Sequence, residues 1–344
     1  MSNLYSKDQE KLRLVIPSDG AMYQETLDFL KDCGMRVRRP SDRGYVGQIV
    51  SIPSVEIVFQ RTADISSRVE AGDADVGLVG YDRFAENRID DSEATVVIPN
   101  LGFGKCSLVV AVPESWVDVE SMSDLADLAV IFQETNRELR VATKYPSLTR
   151  KFLYGHDVNY FSLSLLSGTV EPAPSMGYAD FIVDLTASGQ TLRENHLKQI
   201  IDGTVVQSEG SLIANRRLLA QSDAKKEIFK EIIERIEAQQ LSDVYCRITA
   251  NITGESEAEI ALKVTSLPKA AGLHGPTISP VYAPDSRSIY SATVVIPKED
   301  MAEVIDHLRK IGGASVNVYS PSGYMFNQDS NALERLHSEI GFLR

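Results

Sequence analysis

The stretch Glu171-Pro-Ala-Pro-Ser-Met-Gly177-Tyr-Ala179-Asp-Phe181-Ile182-Val-Asp184-Leu-Thr-Ala187-Ser188-Gly189-Gln190-Thr191-Leu192 decides the reading of this chain. Phe181 to Leu185 reads as a buried strand that ends in a carboxylate, Asp184. Small and hydroxylated residues follow, and then the spacing predicts a helix over Gln190–Lys198. A strand-to-helix turn of this kind aims backbone N–H groups at one spot, where the positive end of the helix dipole also lies. Gly189 has no Cβ to collide with a bound oxygen. Ser188 and Thr191 add hydroxyl donors, and Ala187 and Gln190 add backbone donors. Asp184, just before the turn, is placed to accept hydrogen bonds from sugar hydroxyls. Together these groups describe a site for a ribose 5-phosphate unit. The same residue types also suit an ordinary strand, turn and N-capped helix, because Ser, Thr and Gly favour such positions anyway.

At 344 residues the chain is long enough for two or three domains. Its 43% apolar and 24% charged residues are a globular composition. Acidic residues outnumber basic ones, 48 to 35, for a formal charge of −13. That balance argues against nucleic acid as a partner, since phosphate backbones are bound through basic surface. A nucleotide substrate needs only a local cluster of donors. The first eleven residues are polar, which predicts no signal peptide, and no apolar run approaches the roughly 20 residues of a membrane helix. The expectation is a soluble, cytoplasmic protein with no membrane partner. Cys33, Cys106 and Cys246 form no CxxC pair, and the histidines (His156, His196, His274, His307, His337) show no metal spacing. Metal ligands therefore stay unknown at this level.

Short apolar runs alternate with helical periods through the first part of the chain, as in a mainly parallel sheet covered by helices. Strands are expected at Leu12–Pro17, Glu56–Gln60, Val76–Val79, Thr95–Pro99 and Ser107–Pro113, with helices at Tyr23–Cys33 and Ser66–Ala71. A second lobe is expected from about Val112, with strands at Leu139–Ala142, Tyr160–Leu163 and Phe181–Leu185. The chain then returns through Val205–Gln207 and Ser211–Ala214 to the first lobe. This gives residues 1–111 with 200–243 as lobe I and 112–199 as lobe II. Two α/β lobes crossed twice by the chain make a periplasmic-binding-protein-like body with a cleft, the usual place for a small-molecule site. A charged helix, Ala224–Ala238, separates it from residues 244–344, whose βαββαβ order predicts a ferredoxin-like domain. The tail beyond Pro321 carries a further helix at Asn331–Ile340 with no functional reading.

Glu171, Gly177, Ala179, Ile182, Asp184, Ser188, Gly189 and Thr191 together resemble the signature of the ATP phosphoribosyltransferase family. Other runs stand where that family places similar ones: Arg61-Thr-Ala-Asp64-Ile65, Gly72-Asp-Ala-Asp75-Val-Gly77-Leu-Val-Gly80-Tyr-Asp82, Leu101-Gly-Phe-Gly-Lys105-Cys106 and Val141-Ala-Thr-Lys144-Tyr145-Pro146. The resemblance implies transfer of phosphoribosyl from phosphoribosyl pyrophosphate to N1 of ATP, with Mg²⁺ as cofactor and release of pyrophosphate. It implies a catalytic group of Asp184, Lys144 and Glu171, and a phosphoribosyl pyrophosphate loop of Asp184, Ala187, Ser188, Gly189, Gln190 and Thr191. Gly20, Arg61, Asp82 and Lys105 are the candidates for nucleotide or pyrophosphate. The C-terminal domain resembles the family's histidine-binding inhibitory domain, with His274 and Thr277 near the effector loop, and the family's assembly implies a dimer or hexamer.

One departure stands out. After its first strand the family usually has Asn-Lys-Gly-Arg-Leu, whereas this chain reads Ser18-Asp19-Gly20-Ala21-Met22. Two basic groups are gone from a loop expected to approach phosphates, and Arg36, Arg38, Arg39 and Arg43 are the nearby cations that could replace them. The alternatives are a binding regulator with weak or no turnover and a two-lobed binding protein of the periplasmic type.

Overall fold

The computed structural model describes residues 11–41, 44–89, 91–166, 168–282, 288–319, 325 and 330–340. Arg43 and the start of the tail at Pro321 lie outside them.

Lobe I opens with β1 (Leu12–Pro17), α1 (Ala21–Asp32), β2 (Val37–Arg38), β3 (Val46–Ile49) and β4 (Val55–Gln60). It continues with α2 (Thr62–Ala71), β5 (Val76–Gly80), α3 (Tyr81–Asn87) and β6 (Ala94–Ile98). The chain crosses into lobe II, which holds β7 (Cys106–Pro113), α4 (Met122–Glu134), β8 (Leu139–Thr143), α5 (Pro146–Gly155) and β9 (Phe161–Leu165). After β10 (Phe181–Thr186), α6 (Gln190–Glu194) and β11 (Leu197–Ser208) it crosses back into β12 (Gly210–Asn215), α7 (Arg216–Ala220) and α8 (Asp223–Val244).

The lobe I sheet has the order β2-β3-β4-β1-β5-β12-β6, and the lobe II sheet β11-β7-β10-β8-β9. β1 and β5 are buried almost throughout, so they read as unbroken apolar runs rather than alternating ones. In lobe II, Phe181 and Val183 of β10 pack with Val141, Leu125 and Leu153 on one face of the sheet. Ile182 packs with Ala142, Leu192 and Leu197 on the other. Burying such side chains is worth about 1.5–3 kcal/mol each. At the start of α4, Ser121 and Asp124 form a reciprocal capping box.

Three sequence expectations change. β7 and β11 pair with each other and belong to the second sheet, so the crossings lie nearer 105 and 209 than 112 and 200. Central apolar strands look alike in either sheet, and only their partners decide membership. The helix expected over Gln190–Lys198 ends at Glu194, with His196 at φ 56° and Leu197 already paired to Pro113 in β11. The second compact unit spans residues 230–331 rather than 244–344, and the segment from Ala332 onward groups with the first. In α11 (Asn331–Ile340), Ala332 and Leu336 are buried, while Arg335 lines a cavity of about 540 Å³ together with Tyr81 and Phe84.

The second unit contains β13 (Tyr245–Thr253), α9 (Glu257–Thr265), β14 (Thr277–Val281), β15 (Ile289–Pro297), α10 (Met301–Lys310) and β16 (Gly313–Tyr319). Its antiparallel sheet has the order β14-β15-β13-β16, which is the ferredoxin-like arrangement of βαββαβ. Cys246, Ile248, Ala250 and Ile252 point alternately from β13 into a core shared with Ile260, Val304 and Leu308.

Candidate active site between two topological switch points

Each lobe has a point where the strand order reverses, and open α/β sheets bind ligands outside the carboxyl ends of strands at such points. In lobe I, β1 runs parallel to β4 on one side and β5 on the other. The segments leaving these strands are Ser18–Gly20, Arg61 and Gly80–Asp82. Gly20 takes φ 78° before α1, and a Cβ there would meet no atom within 4 Å, so the backbone is open to close approach. Arg61 is exposed and precedes the first residue of α2; Asp64 lies in the first turn of that helix rather than capping it.

Lobe II repeats the arrangement, with β8 parallel to β10 on one side and β9 on the other. Thr143 stands opposite Val183, so the next residues along, Lys144 and Asp184, come side by side. Lys144 Nζ lies 3.8 Å from Asp184 Oδ2. Asp184 is 5% exposed, and burial pushes its carboxyl above the ordinary range, with Lys144 pulling the other way. The negative charge of Glu171 adds to the upward push, which places that residue in the same electrostatic neighbourhood. Glu171 also accepts from the Val170 N–H at 3.1 Å.

The turn after β10 is shaped by Thr186, a residue the sequence reading passed over. Its Oγ1 accepts from the Gly189 N–H at 2.9 Å, and Gly189 takes the left-handed conformation, φ 71°. Arg193 reaches back over the turn, donating to the Ser188 carbonyl at 3.3 Å. A cavity of about 570 Å³ is lined by Thr186, Ala187, Ser188, Gly189, Arg193 and Lys198. Because α6 has only five residues, its dipole contributes little; Arg193 and Lys198 are the cations of the lining, and Glu114 is its carboxylate. Arg193 sits one helical turn beyond Gly189, a spacing that could have flagged it.

Asp82 is buried between the lobes, where Oδ2 accepts from the Tyr145 hydroxyl at 2.6 Å and Oδ1 from the Ser208 hydroxyl at 2.6 Å. Lys105 is exposed on one crossing segment and pairs with Glu209 on the other at 3.7 Å. Burial and then Asp82 push the Cys106 thiol up to about 11, so it is no nucleophile at neutral pH. Of the arginines near the Ser18–Ala21 loop, Arg39 lies 4.0 Å over the Phe59 ring and donates to the Tyr23 hydroxyl of α1 at 3.2 Å. Arg36 and Arg38 are exposed. His274 and Thr277 are exposed in the second unit, with Thr277 opposite Thr293 in the sheet.

Residues 61–238 match the family model described as ATP phosphoribosyltransferase. The chain belongs to that family. Residues 243–320 also match the model described as "HisG, C-terminal domain". ATP phosphoribosyltransferase 2, chloroplastic, of Arabidopsis thaliana is 38% identical over 97% of this chain and 81% of its own length. The ATP phosphoribosyltransferase of Nitrobacter winogradskyi is 32% identical over 94% of this chain and 97% of its own. A solved ATP phosphoribosyl transferase (HisG:HisZ) complex from Thermotoga maritima shares the fold, with a TM-score of 0.51 and 23% identity, covering 67% of this chain and 98% of that one. Family membership makes the chain a pentosyltransferase. Its Ser18–Ala21 departure falls before the matched region, which begins at Arg61. Among the described residues no helix is long and apolar enough to cross a membrane.

Proposed function

We propose that this chain transfers the phosphoribosyl group of phosphoribosyl pyrophosphate to N1 of ATP, releasing pyrophosphate, as the opening step of histidine biosynthesis. The observation that carries the reading is the Lys144–Asp184 pair, 3.8 Å apart at a switch point. The bond from C1 to the leaving oxygen breaks, its electron pair departs with pyrophosphate, and the N1 lone pair forms the new bond. The ribose passes through an oxocarbenium-like state, as in glycoside hydrolysis. The buried carboxylate of Asp184 accepts from the ribose hydroxyls and faces that positive charge. Lys144 meets the pyrophosphate oxygens. Ser188, Gly189 and Thr191, with Ala187, Gln190 and Arg193, hold the 5-phosphate. The leaving group is already anionic, so the work is positioning and charge stabilisation rather than strong acid catalysis.

Among the described residues no group of three or more His, Cys, Asp or Glu converges on one point. Mg²⁺ commonly binds through one or two carboxylates plus substrate phosphates, and Asp184 with Glu171 fits that donor set. When bound there, the cation neutralises charge building on the departing pyrophosphate. Gly20, Arg61 and Lys105 serve the nucleotide side of the cleft, with Arg39 replacing a missing basic group of the Gly20 loop. The ferredoxin-like unit binds histidine as feedback inhibitor near His274 and Thr277, and the enzyme assembles as a dimer or hexamer.

The test is pyrophosphate release from purified protein given ATP, phosphoribosyl pyrophosphate and Mg²⁺, with and without histidine. Release that needs both substrates and falls with histidine is the expected result. No release, with both substrates still bound, would favour a regulator disabled at the Asp19 loop.

A further inference from the structure

Asp82 belongs to lobe I, at the second position of α3, yet both its carboxylate oxygens are taken by lobe II. Tyr145, which donates to Oδ2 at 2.6 Å, forms the turn between β8 and α5. Ser208, which donates to Oδ1 at 2.6 Å and accepts from the Asp82 N–H at 2.9 Å, ends β11. The carboxylate folds back over Gly80, where a Cβ would stand 2.4 Å from Oδ1, so a larger residue there would have to displace that oxygen. The Tyr145 hydroxyl stays protonated, because burial and the adjacent Asp82 push its ionisation far up.

The grip on lobe II goes further along the same helix. The Arg83 guanidinium lies 4.2 Å over the Tyr145 ring and donates to the Lys144 carbonyl at 3.4 Å. Glu86 accepts from the Ser147 N–H at 2.8 Å and the Leu148 N–H at 2.9 Å, capping α5. Three side chains of one short helix thus hold residues 144–148 from the opposite lobe, Arg83 and Glu86 through the backbone and Asp82 through the Tyr145 hydroxyl. Lys144 is the residue whose ammonium faces Asp184.

We propose that Asp82 is a positioning residue for the transfer reaction: through Tyr145 it sets, from lobe I, where Lys144 stands against Asp184 in lobe II. The proposal rests on the assignment of Lys144 and Asp184 to the chemistry. It explains why a carboxylate at a switch point of lobe I is turned away from ligands. It also ties lobe closure to the catalytic pair, since separating the lobes breaks the Asp82–Tyr145 bond and frees the segment carrying Lys144. A displacement of about 1 Å at a reacting group can slow a reaction on the order of 10²-fold.

The experiment compares Tyr145→Phe, Asp82→Asn and the double variant with the full-length enzyme, measuring kcat and the KM of each substrate. Tyr145→Phe keeps the ring under Arg83 and removes only the hydroxyl. The expected result is a kcat loss of about 10- to 100-fold in each single variant. KM for phosphoribosyl pyrophosphate stays close to its original value, and the double variant is no slower than the slower single one. Unchanged kcat in folded Tyr145→Phe, a loss confined to KM, or losses that multiply in the double variant would each overturn the proposal. Asp184→Asn and Lys144→Met run in parallel separate the two readings. If they too are fully active, the site assignment fails and the positioning role with it. If they are inactive while Tyr145→Phe is not, only the positioning role fails.

Discussion

Lys144 Nζ lies 3.8 Å from Asp184 Oδ2, close enough for an electrostatic pair and too far for a good hydrogen bond. Burial raises the Asp184 pKa and Lys144 holds it down, so the pair balances two opposed effects. The proposed reaction needs Asp184 ionised. The acid limb of kcat/KM against pH is therefore expected above the ordinary aspartate range of about 4. Lys144→Met removes the cation that favours the carboxylate and should move that limb to higher pH, besides lowering kcat. A limb that stays put in Lys144→Met would show that another group titrates there.

The same raised pKa has a consequence for stability. A carboxyl whose folded pKa exceeds its unfolded value binds more protons folded than unfolded, so stability falls as pH rises between the two values. At neutral pH the folded state carries the full penalty of the buried charge. Asp184→Asn should therefore raise Tm at pH 7 while abolishing turnover. Below the aspartate range the gain should vanish. Thermal unfolding at pH 7 and near pH 4 makes the comparison.

Gly189 takes φ 71°, and a Cβ there would come within 3.0 Å of the Arg193 guanidinium. Gly189→Val should cost about 1–2 kcal/mol in backbone strain and push Arg193 off the turn. The measurement is calorimetric titration with phosphoribosyl pyrophosphate, for which binding should weaken at least about tenfold, the equivalent of 1.4 kcal/mol. Unchanged affinity would remove the turn from the phosphate site.

Glu86 accepts from two otherwise unpaired N–H groups at the start of α5, where a negative charge also meets the positive helix end. Glu86→Ala should lower stability by about 1–2 kcal/mol, within the range for lost helix caps. A lower urea midpoint at unchanged slope is the expected signature.

Much of the molecule is legible in local sequence. The apolar runs of β1, β5 and β10 announce buried strands, and Asp184-Leu-Thr-Ala-Ser-Gly-Gln-Thr191 announces the turn into α6, because apolar patterning and turn chemistry act over a few residues. The βαββαβ order of the second unit is likewise written in the succession of its elements. Local pattern misjudged α6 because a competing partner, β7, lies far away in the chain and claims Leu197 for a strand. Nor could periodicity assign β7 and β11 to the second sheet, since burial on both faces looks the same wherever a strand is placed. Thr186, Arg193 and Glu86 acquire their roles only once the backbone brings their partners near. Asp82 shows the limit most clearly. In the sequence it is an aspartate two residues after a glycine, equally suited to a ligand or a cap. Folding commits its carboxylate to Tyr145, 63 residues away, and to Ser208, 126 residues away. The sequence by itself determined which segments become strands, helices and the Ser188–Gly189 turn; only the tertiary structure decided which carboxylate pairs with Lys144 and which holds the lobes, because hydrogen bonds between distant segments form after the sheets have packed.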